Sequence, residues 1–199
     1  MNHTTEEKLL PIVFLKGPRV TLRPLLREDI PLLMRYMNDP DVLHFLGSNS
    51  PKMEADEMEW FDGLHKRKQT DIVLSVVADD HMIGVMGIHG MNWVHRFATT
   101  GAAIGDKAYW GRGYGSEAKI LLLKFAFDTL NLRKICSNVI AFNERSLNYS
   151  LKCGYKEEGR RKDHFFRQGR YWDEIQLAIF REDWVPVWEK FAAKHSIPK

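Results

Sequence analysis

Several residue types that mark special protein classes are scarce in this 199-residue chain. With 2 cysteines, 14 glycines and 8 prolines, its composition excludes a disulfide scaffold, a collagen-like repeat and a Pro/Gly-rich disordered chain. Cys136 and Cys153 stand alone, without the Cys/His spacing of a zinc site or a Cys-x-x-Cys redox motif. We therefore expect two reduced core thiols and no metal.

A long apolar run and a strong charge imbalance are also missing. The early apolar stretch from Leu9 to Leu15 is too short to span a bilayer, contains Pro11 and follows glutamates where a signal peptide carries positive charge. We therefore expect a cytoplasmic protein with no membrane partner. Lys and Arg total 29 against 26 Asp and Glu, and a net charge of +3 argues only weakly for a nucleic-acid partner.

The apolar content is sufficient for a folded core. Hydrophobic residues make up 44% and aromatic residues 12% of the chain, so enough apolar surface is available to offset the entropy lost on folding. No internal repeat, low-complexity tract or Ser/Gly-rich linker divides the sequence. We expect one domain over residues 1–199, with a core of about 16–184 and short terminal extensions.

Hydrophobic patterning predicts strands and helices in mixed order. Alternation favours a strand at Val20 to Leu25, and β-rich runs on either side of Asp79-Asp80-His81 favour a hairpin, followed by a third strand at about Thr100 to Ile104. The order predicts an α+β fold with a mixed, mostly antiparallel central sheet flanked by helices. The other predicted elements are helices from Asp29-Pro31 to about Asn38, from Ser50-Pro51 onward (with Met53, Trp60, Phe61 and Leu64 inward), over Ser116 to Leu130 and over Arg145 to Lys152, and strands over Lys134 to Ala141, Tyr155 to Gly159 and Trp172 to Phe180.

The most informative segment is Trp110-Gly111-Arg112-Gly113-Tyr114-Gly115-Ser116, between a predicted strand and a predicted buried helix. Glycines let the backbone approach a ligand and direct successive N–H groups at one spot, and a helix N-terminus adds about half a positive charge. Arg112 can add a charge-assisted hydrogen bond. The segment therefore predicts a phosphate-binding loop.

Three other interpretations of this loop can be compared. A Walker A loop is excluded because Gly115-Ser116 is followed by Glu117 and the required lysine is absent. The dinucleotide fingerprint Gly-x-Gly-x-x-Ala is satisfied by Gly113, Gly115 and Ala118, but the motif follows an antiparallel run rather than opening a βαβ unit. A glycine-rich connection without any ligand is the remaining alternative.

Short sequence blocks on both sides of the loop, together with the loop itself, form a specific pattern. They are Val20-Thr21-Leu22-Arg23-Pro24, Gly111 to Ala118, Asn131 to Ile135, Asn143-Glu144-Arg145-Ser146, Lys152-Cys153-Gly154-Tyr155, Glu157-Glu158-Gly159 and Gly169-Arg170-Tyr171-Trp172-Asp173. In their order and spacing these blocks resemble the GNAT acetyltransferase superfamily, in the branch of the RimJ/RimL-type and spermidine N-acetyltransferases. The resemblance extends from about Lys16 to Trp184 and implies a GNAT-like sheet and an acyl-CoA-dependent N-acetyltransferase.

The resemblance also implies roles for particular residues. Acetyl-CoA is the implied co-substrate, a primary amine such as a protein N-terminus or a polyamine is the implied acceptor, and a backbone N–H at Ala103-Ile104 is the implied oxyanion donor. Asn143 is implied to contact the pantetheine arm. The implied cofactor-binding residues are Ala103, Ile104, Trp110, Gly111, Arg112, Gly113, Tyr114, Gly115, Ser116 and Asn143.

Two positions depart from the family pattern. Trp110 replaces the usual Gln or Arg at the start of the loop, so we expect one phosphate contact of the family to be missing. Ser150 stands where many members carry a proton-donating tyrosine, and Tyr149 is adjacent but about 100° away around a helix. Ser146 and Ser150 lie four residues apart and are expected to share a helix face, so we predict that these two serines serve the departing thiolate.

Two further groups of residues are candidates for contact with the amine acceptor. A base must deprotonate the attacking amine, and His164 is the candidate for catalysis, with Asp163 and Glu144 as alternatives; a solvent-exposed polar turn explains these residues equally well. The acidic residues of the second predicted helix could attract a cationic acceptor or form a solvated face. They are Glu54, Asp56, Glu57, Glu59 and Asp62.

Two other classes of protein stay open. A binding module for RNA or an acidic protein is suggested by basic residues interleaved with aromatic ones. A CoA-binding regulator without catalysis is suggested by Ser150, because this residue replaces the proton-donating tyrosine. The oligomeric state is open between monomer and homodimer. The residues of the basic and aromatic patch are Arg160, Arg161, Lys162, Phe165, Phe166, Arg167, Arg170, Tyr171 and Trp172.

Overall fold

A computed structural model describes residues 12–48 and 50–197. Within these residues, eight strands form one sheet in the order β1-β2-β3-β4-β5-β6-β8-β7. The strands are β1 Leu15–Lys16, β2 Thr21–Pro24, β3 Ile72–Ala78, β4 His81–Asn92, β5 Phe97–Ile104, β6 Lys134–Ile140, β7 Lys156–Arg167 and β8 Arg170–Phe180. The helices are α1 Ile30–Met37, α2 Pro40–Leu43, α3 Glu54–Gly63, α4 Tyr114–Lys124, α5 Glu144–Lys152 and α6 Arg181–His195.

The centre of the sheet is where its strands separate. Neighbouring strands are antiparallel except β5 and β6, which are parallel and pair over three residues each, ending at Thr99 and Cys136. Beyond that point residues 100–104 of β5 and 137–140 of β6 line opposite sides of a gap. The mixed, mostly antiparallel sheet predicted from the sequence is confirmed, and this fork creates the space for a site.

Both faces of the sheet are covered, as the alternation of side chains along each strand requires. On β4, Met86 belongs to the larger apolar cluster that includes α4 and Trp184 of α6, whereas Val85 packs against the smaller cluster around α1. Helix α4 is buried on several sides, as its apolar sequence predicts, and a π-turn over Phe125–Thr129 ends it.

The C-terminal half contains more structure than the sequence patterns predict. Strand β7 continues to Arg167, so Asp163 and His164 lie within a strand and not in a turn after it. A bulge between Arg161 and Phe165 interrupts the pairing with β8 and hides the period-two pattern. Helix α6 was also not predicted, although Trp184, Trp188 and Ala192 recur every four residues on its buried face.

Smaller corrections concern α3 and the cysteines. Helix α3 begins at Glu54, Met53 is mostly exposed and Glu57, placed with the polar residues, is buried. Both cysteines are free thiols, and Cys153 lies in the core while Cys136 is half-buried. The start of the apolar run, Leu9 to Pro11, lies outside the described residues. Within the described part of the chain, no helix combines the length and apolar character needed to cross a membrane.

Candidate active site

A cavity of about 390 Å³ fills the fork between β5 and β6. Its size falls within the range of small-molecule sites, roughly 300–1,000 Å³. We call the part formed by Gly111, Gly113, Gly115 and Ser116 the loop end, and the part formed by Leu46, Phe165 and Glu174 the hairpin end. The wall between them includes Thr100, Gly101, Ala102, Ala103, Ile104, Ser137, Asn138, Val139, Ile140, Asn143, Ser146 and Tyr149.

The loop end presents the start of helix α4 to the cavity. Gly113 caps the helix at φ 87°, a left-handed conformation in which a side chain would be strained. The first intrahelical bond runs from the Glu117 N–H to the Gly113 carbonyl at 3.0 Å, so the preceding N–H groups of the first turn are free to bind a ligand. This geometry suits an anion such as pyrophosphate.

Two loop residues lie elsewhere than predicted. Arg112 is exposed, and its Nη1 donates to the carbonyl of Ala108 at 3.2 Å. Tyr114 is buried in the core, where the Arg19 guanidinium lies 4.5 Å from its ring centre. Neither is among the described residues of the cavity wall, because the chain turns into α4 here and directs alternate side chains away from the ligand side.

Trp110 braces the loop, and its indole N–H is already occupied. Nε1 donates to the carbonyl of Ile104 at 2.6 Å, which ties the loop to the end of β5. The guanidinium of Arg145 stacks on its ring, 3.7 Å from the ring centre, and both residues line the cavity. Trp110 therefore holds the guanidinium of Arg145 from α5 at the cavity wall. The sequence analysis did not identify Arg145 as a cation of the site.

Asn143 caps helix α5 from the cavity wall. Its Oδ1 accepts a hydrogen bond from the Ser146 N–H at 3.0 Å, which is the usual way an asparagine satisfies a free donor in the first turn. The Nδ2 group of the same amide can donate to a ligand in the cavity. Asn143, Ala103 and Ile104 thus lie on the wall, where the resemblance implies cofactor contacts.

Helix α5 presents Tyr149 to the cavity, not Ser150. Ser146 and Tyr149 line the cavity, and their three-residue spacing also places them on one side of a helix. Ser150 is fully buried, and its Oγ has no hydrogen-bond partner among the described residues. The predicted orientation of Ser150 is therefore wrong, because spacing fixes which residues share a face but not which face meets the cavity. Burial raises the pKa of Tyr149, so its hydroxyl stays protonated.

A buried lysine lies behind this wall. Lys119 of α4 has no exposed surface, and its Nζ donates to Thr100 Oγ1 at 2.7 Å. The ring centres of Tyr149 and Tyr155 are each 5.5 Å from Nζ. Burial lowers the pKa of Lys119 to about 8. The sequence signal for this residue was its place between Ala118 and the apolar run Ile120 to Leu123.

Comparison with known proteins agrees with this geometry. Residues 19–156 match the acetyltransferase (GNAT) domain family, which is more than half of the chain.

The chain belongs to the GNAT acetyltransferase family.

A spermidine N(1)-acetyltransferase of Escherichia coli K12 is 27% identical over 90% of this chain and 91% of its own length. The [ribosomal protein uS5]-alanine N-acetyltransferase of the same organism is 29% identical over 43% of this chain and 44% of its own. The crystal structure of spermidine N-acetyltransferase from Vibrio cholerae in complex with CoA and spermine shares the fold, with a TM-score of 0.78, 24% identity and coverage of 85% of this chain and 99% of that one. The branch identified from the motifs is confirmed.

The acid/base candidates named from the sequence lie away from the GNAT cavity. His164, Asp163 and Glu144 are exposed, and none is among the described wall residues. His164 packs its ring against Phe165 on the outer part of β7. The acidic side chains of α3 are also absent from the described wall, and Asp62 pairs with Arg27. The carboxylate that does lie on the wall is Glu174 of β8, which the sequence analysis missed.

The basic patch of the β7–β8 hairpin is largely engaged within the GNAT chain itself. Arg160 pairs with Glu157 at 2.7 Å, and Arg170 stacks 3.6 Å from the ring centre of Trp172. Arg167 is buried, and its Nη2 donates to the carbonyls of Leu46 and Gly47 at 2.9 and 3.0 Å. Arg167 thereby ties the hairpin to the segment after α2, and the internal partners of these cations leave the nucleic-acid alternative with little support.

Proposed function

We propose that this protein transfers an acetyl group from acetyl-CoA to a primary amine. The observation that carries the proposal is the loop end, where the first turn of α4 and the left-handed Gly113 direct free N–H groups into a cavity of the GNAT fork. The CoA-bound structural neighbour supports the same co-substrate. The dinucleotide interpretation has no support, because β4 feeds β5 antiparallel and a short 3-10 turn separates β5 from the loop.

The cavity residues suggest how acetyl-CoA is held. The pyrophosphate would meet the N–H groups at the loop end, with Arg145 as a nearby cation. The pantetheine arm would run between β5 and β6 and receive a hydrogen bond from Asn143 Nδ2. The N–H groups of Ala103 or Ile104 lie beyond Thr99, the last residue of β5 that pairs with β6, and would then face the acetyl oxygen.

The reaction requires an amine with a free electron pair and a stabilised leaving group. The amine nitrogen forms a bond to the acetyl carbon, the carbon–sulfur bond breaks, the sulfur leaves as CoA thiolate and is then protonated, and the amine loses one proton. A thiol has a pKa near 8.5, so a hydrogen-bond donor beside the sulfur is sufficient help. Tyr149 is the best placed donor, with Ser146 beside it on the wall. The proposed catalytic set therefore keeps Ser146, replaces Ser150 by Tyr149 and drops His164.

The acceptor class follows from the family members that match over most of their length. The Escherichia coli relative acts, by its name, on spermidine, and the Vibrio cholerae structure contains spermine. An aliphatic polyamine is therefore the proposed acceptor class, with a protein N-terminus as the alternative suggested by the shorter match to the ribosomal-protein enzyme.

A thiol-release assay tests the proposal. Acetyl-CoA is incubated with the protein and, in separate reactions, with aliphatic diamines, polyamines and N-terminal alanine peptides. We expect amine-dependent release of CoA thiol, fastest with a polyamine, and an acetylated product by mass spectrometry. Tight acetyl-CoA binding without turnover of any amine would favour the non-catalytic CoA-binding regulator instead.

A further inference from the structure

Glu174 is a buried carboxylate on a strand that has a neighbouring strand on each side. It lies on β8 between Ile140 of β6 and Arg161 of β7, and 5% of its surface is exposed. Burial of an ionised carboxylate is expensive unless its oxygens are bonded. Apolar residues would fill this place in the sheet more favourably, so the charge calls for an explanation.

The hydrogen-bonding capacity of Glu174 is not used within the described residues. Its Oε2 accepts no hydrogen bond there, although Arg161 Nη1 lies 3.1 Å away as an ion-pair partner. The Arg161 side chain is 53% exposed, so water screens this pair. A carboxylate offers about four acceptor positions, which leaves room for a second cation.

The surroundings of Glu174 match a cation attached to an apolar chain. Of the described residues on the cavity wall, Glu174 is the one with an acidic side chain. Phe165 and Leu46 line the same cavity and offer apolar surface to methylene groups. The cationic side chain on the same wall, Arg145, is held by the rings of Trp110 and Phe45 towards the loop end.

We propose that Glu174 binds the second, non-reacting ammonium group of a diamine or polyamine acceptor. This inference rests on the proposed function and deepens it. The reacting amine must be neutral when it attacks, and a carboxylate bonded to it would hold it in the protonated form. Glu174 therefore binds the ammonium group that does not react. The methylene chain between the two nitrogens lies along Phe165 and Leu46.

The test compares 1,4-diaminobutane with butylamine, which has the same carbon chain and one nitrogen fewer. In the wild-type protein we expect a KM for the diamine roughly tenfold to hundredfold below that for butylamine, as a charge-assisted bond provides. Glu174→Gln removes the charge and keeps the shape, so the two KM values should become equal. The Kd for acetyl-CoA, measured by calorimetry, should not change.

Controls separate this inference from the proposed function. Glu157→Gln removes an exposed carboxylate of the same hairpin and should leave the preference for the diamine intact. Glu174→Asp keeps the charge on a shorter side chain and should retain part of the preference. If the wild-type protein turns over amines but shows no preference, or if Glu174→Gln binds acetyl-CoA normally and keeps the preference, Glu174 does not bind the acceptor. If acetyl-CoA supports no turnover with any amine, the proposed function itself fails.

Discussion

The two ends of the cavity are built in different ways. The loop end comes from one continuous stretch, residues 110–116, and presents backbone N–H groups at the start of α4. The hairpin end combines side chains from the segment after α2, from β7 and from β8, which are more than 100 residues apart at the extremes, as Arg167 and Leu46 show. Backbone groups are available for any sequence that adopts the turn, whereas a side-chain site exists only after the whole sheet has formed.

The two ends also differ in how well their polar groups are satisfied. Near the loop end, Glu117 accepts hydrogen bonds from the backbone N–H groups of Arg19 and Val20 at 2.7 and 2.9 Å and from Arg19 Nε at 3.0 Å. At the hairpin end, Arg167 Nε and Glu174 Oε2 are buried without hydrogen bonds among the described residues. Such groups are rare in stable cores, and they concentrate where function requires them.

The largest effect is expected at the loop end. Gly113→Asp places a side chain and a negative charge where the pyrophosphate should bind, at a residue with φ 87°. We expect acetyl-CoA affinity to fall at least about 100-fold in calorimetry, or by roughly 3 kcal/mol. Gly169→Asp is the matched control, because Gly169 has φ 76° and open space around it in the hairpin turn. Equal losses in both variants would mean that backbone strain, not the anion site, is responsible.

An intermediate effect is expected on the wall between the ends. Tyr149→Phe removes the hydroxyl proposed to serve the leaving sulfur, and we expect kcat to fall roughly 100-fold with little change in acetyl-CoA affinity. Ser150→Ala removes a buried hydroxyl that lacks a partner among the described residues, so activity and stability should stay nearly unchanged. A large loss in Ser150→Ala with normal Tyr149→Phe would restore the serine assignment.

The smallest effect concerns the stability of the wall itself. Lys119 has a pKa of about 8 in the folded protein against 10.5 as the ordinary value. Below pH 8 both states carry the proton and the folded state bears the penalty of the buried charge; between pH 8 and 10.5 the folded state loses the proton first. The free energy of unfolding therefore rises with pH across that window, as the folded state loses the buried charge.

Lys119→Met should remove that penalty. We expect the free energy of unfolding at pH 7 to increase by about 1–3 kcal/mol, and this gain to shrink towards pH 10. Urea denaturation of both proteins at several pH values measures the difference. Lys156→Met, at a largely exposed lysine paired with Asp183, should change stability by less than about 0.5 kcal/mol. A gain that is independent of pH would show that packing, and not the buried charge, governs Lys119.

Local patterns anticipated much of the fold but not its longest hairpin. The apolar run of α4 and the strand at Lys134 to Ile140 were identified because each has the periodicity of its own secondary structure. Strand β7 was predicted too short because charged residues dominate it and a bulge shifts its register after Arg161. His164 was named as a base from its place in the sequence, and the extra strand length carries it away from the cavity.

The sequence by itself determined the loop end: glycines at 111, 113 and 115 followed by an apolar helix specify free N–H groups whatever surrounds them. Tertiary structure alone decided which face of α5 meets the cavity, that Lys119 is buried behind Thr100, and that Glu174 reaches the wall beside Phe165. The physical reason is the separation along the chain between the residues that interact. Turn and helix geometry follow from neighbouring residues, whereas the position of a side chain in a fork between strands depends on the pairing of distant segments.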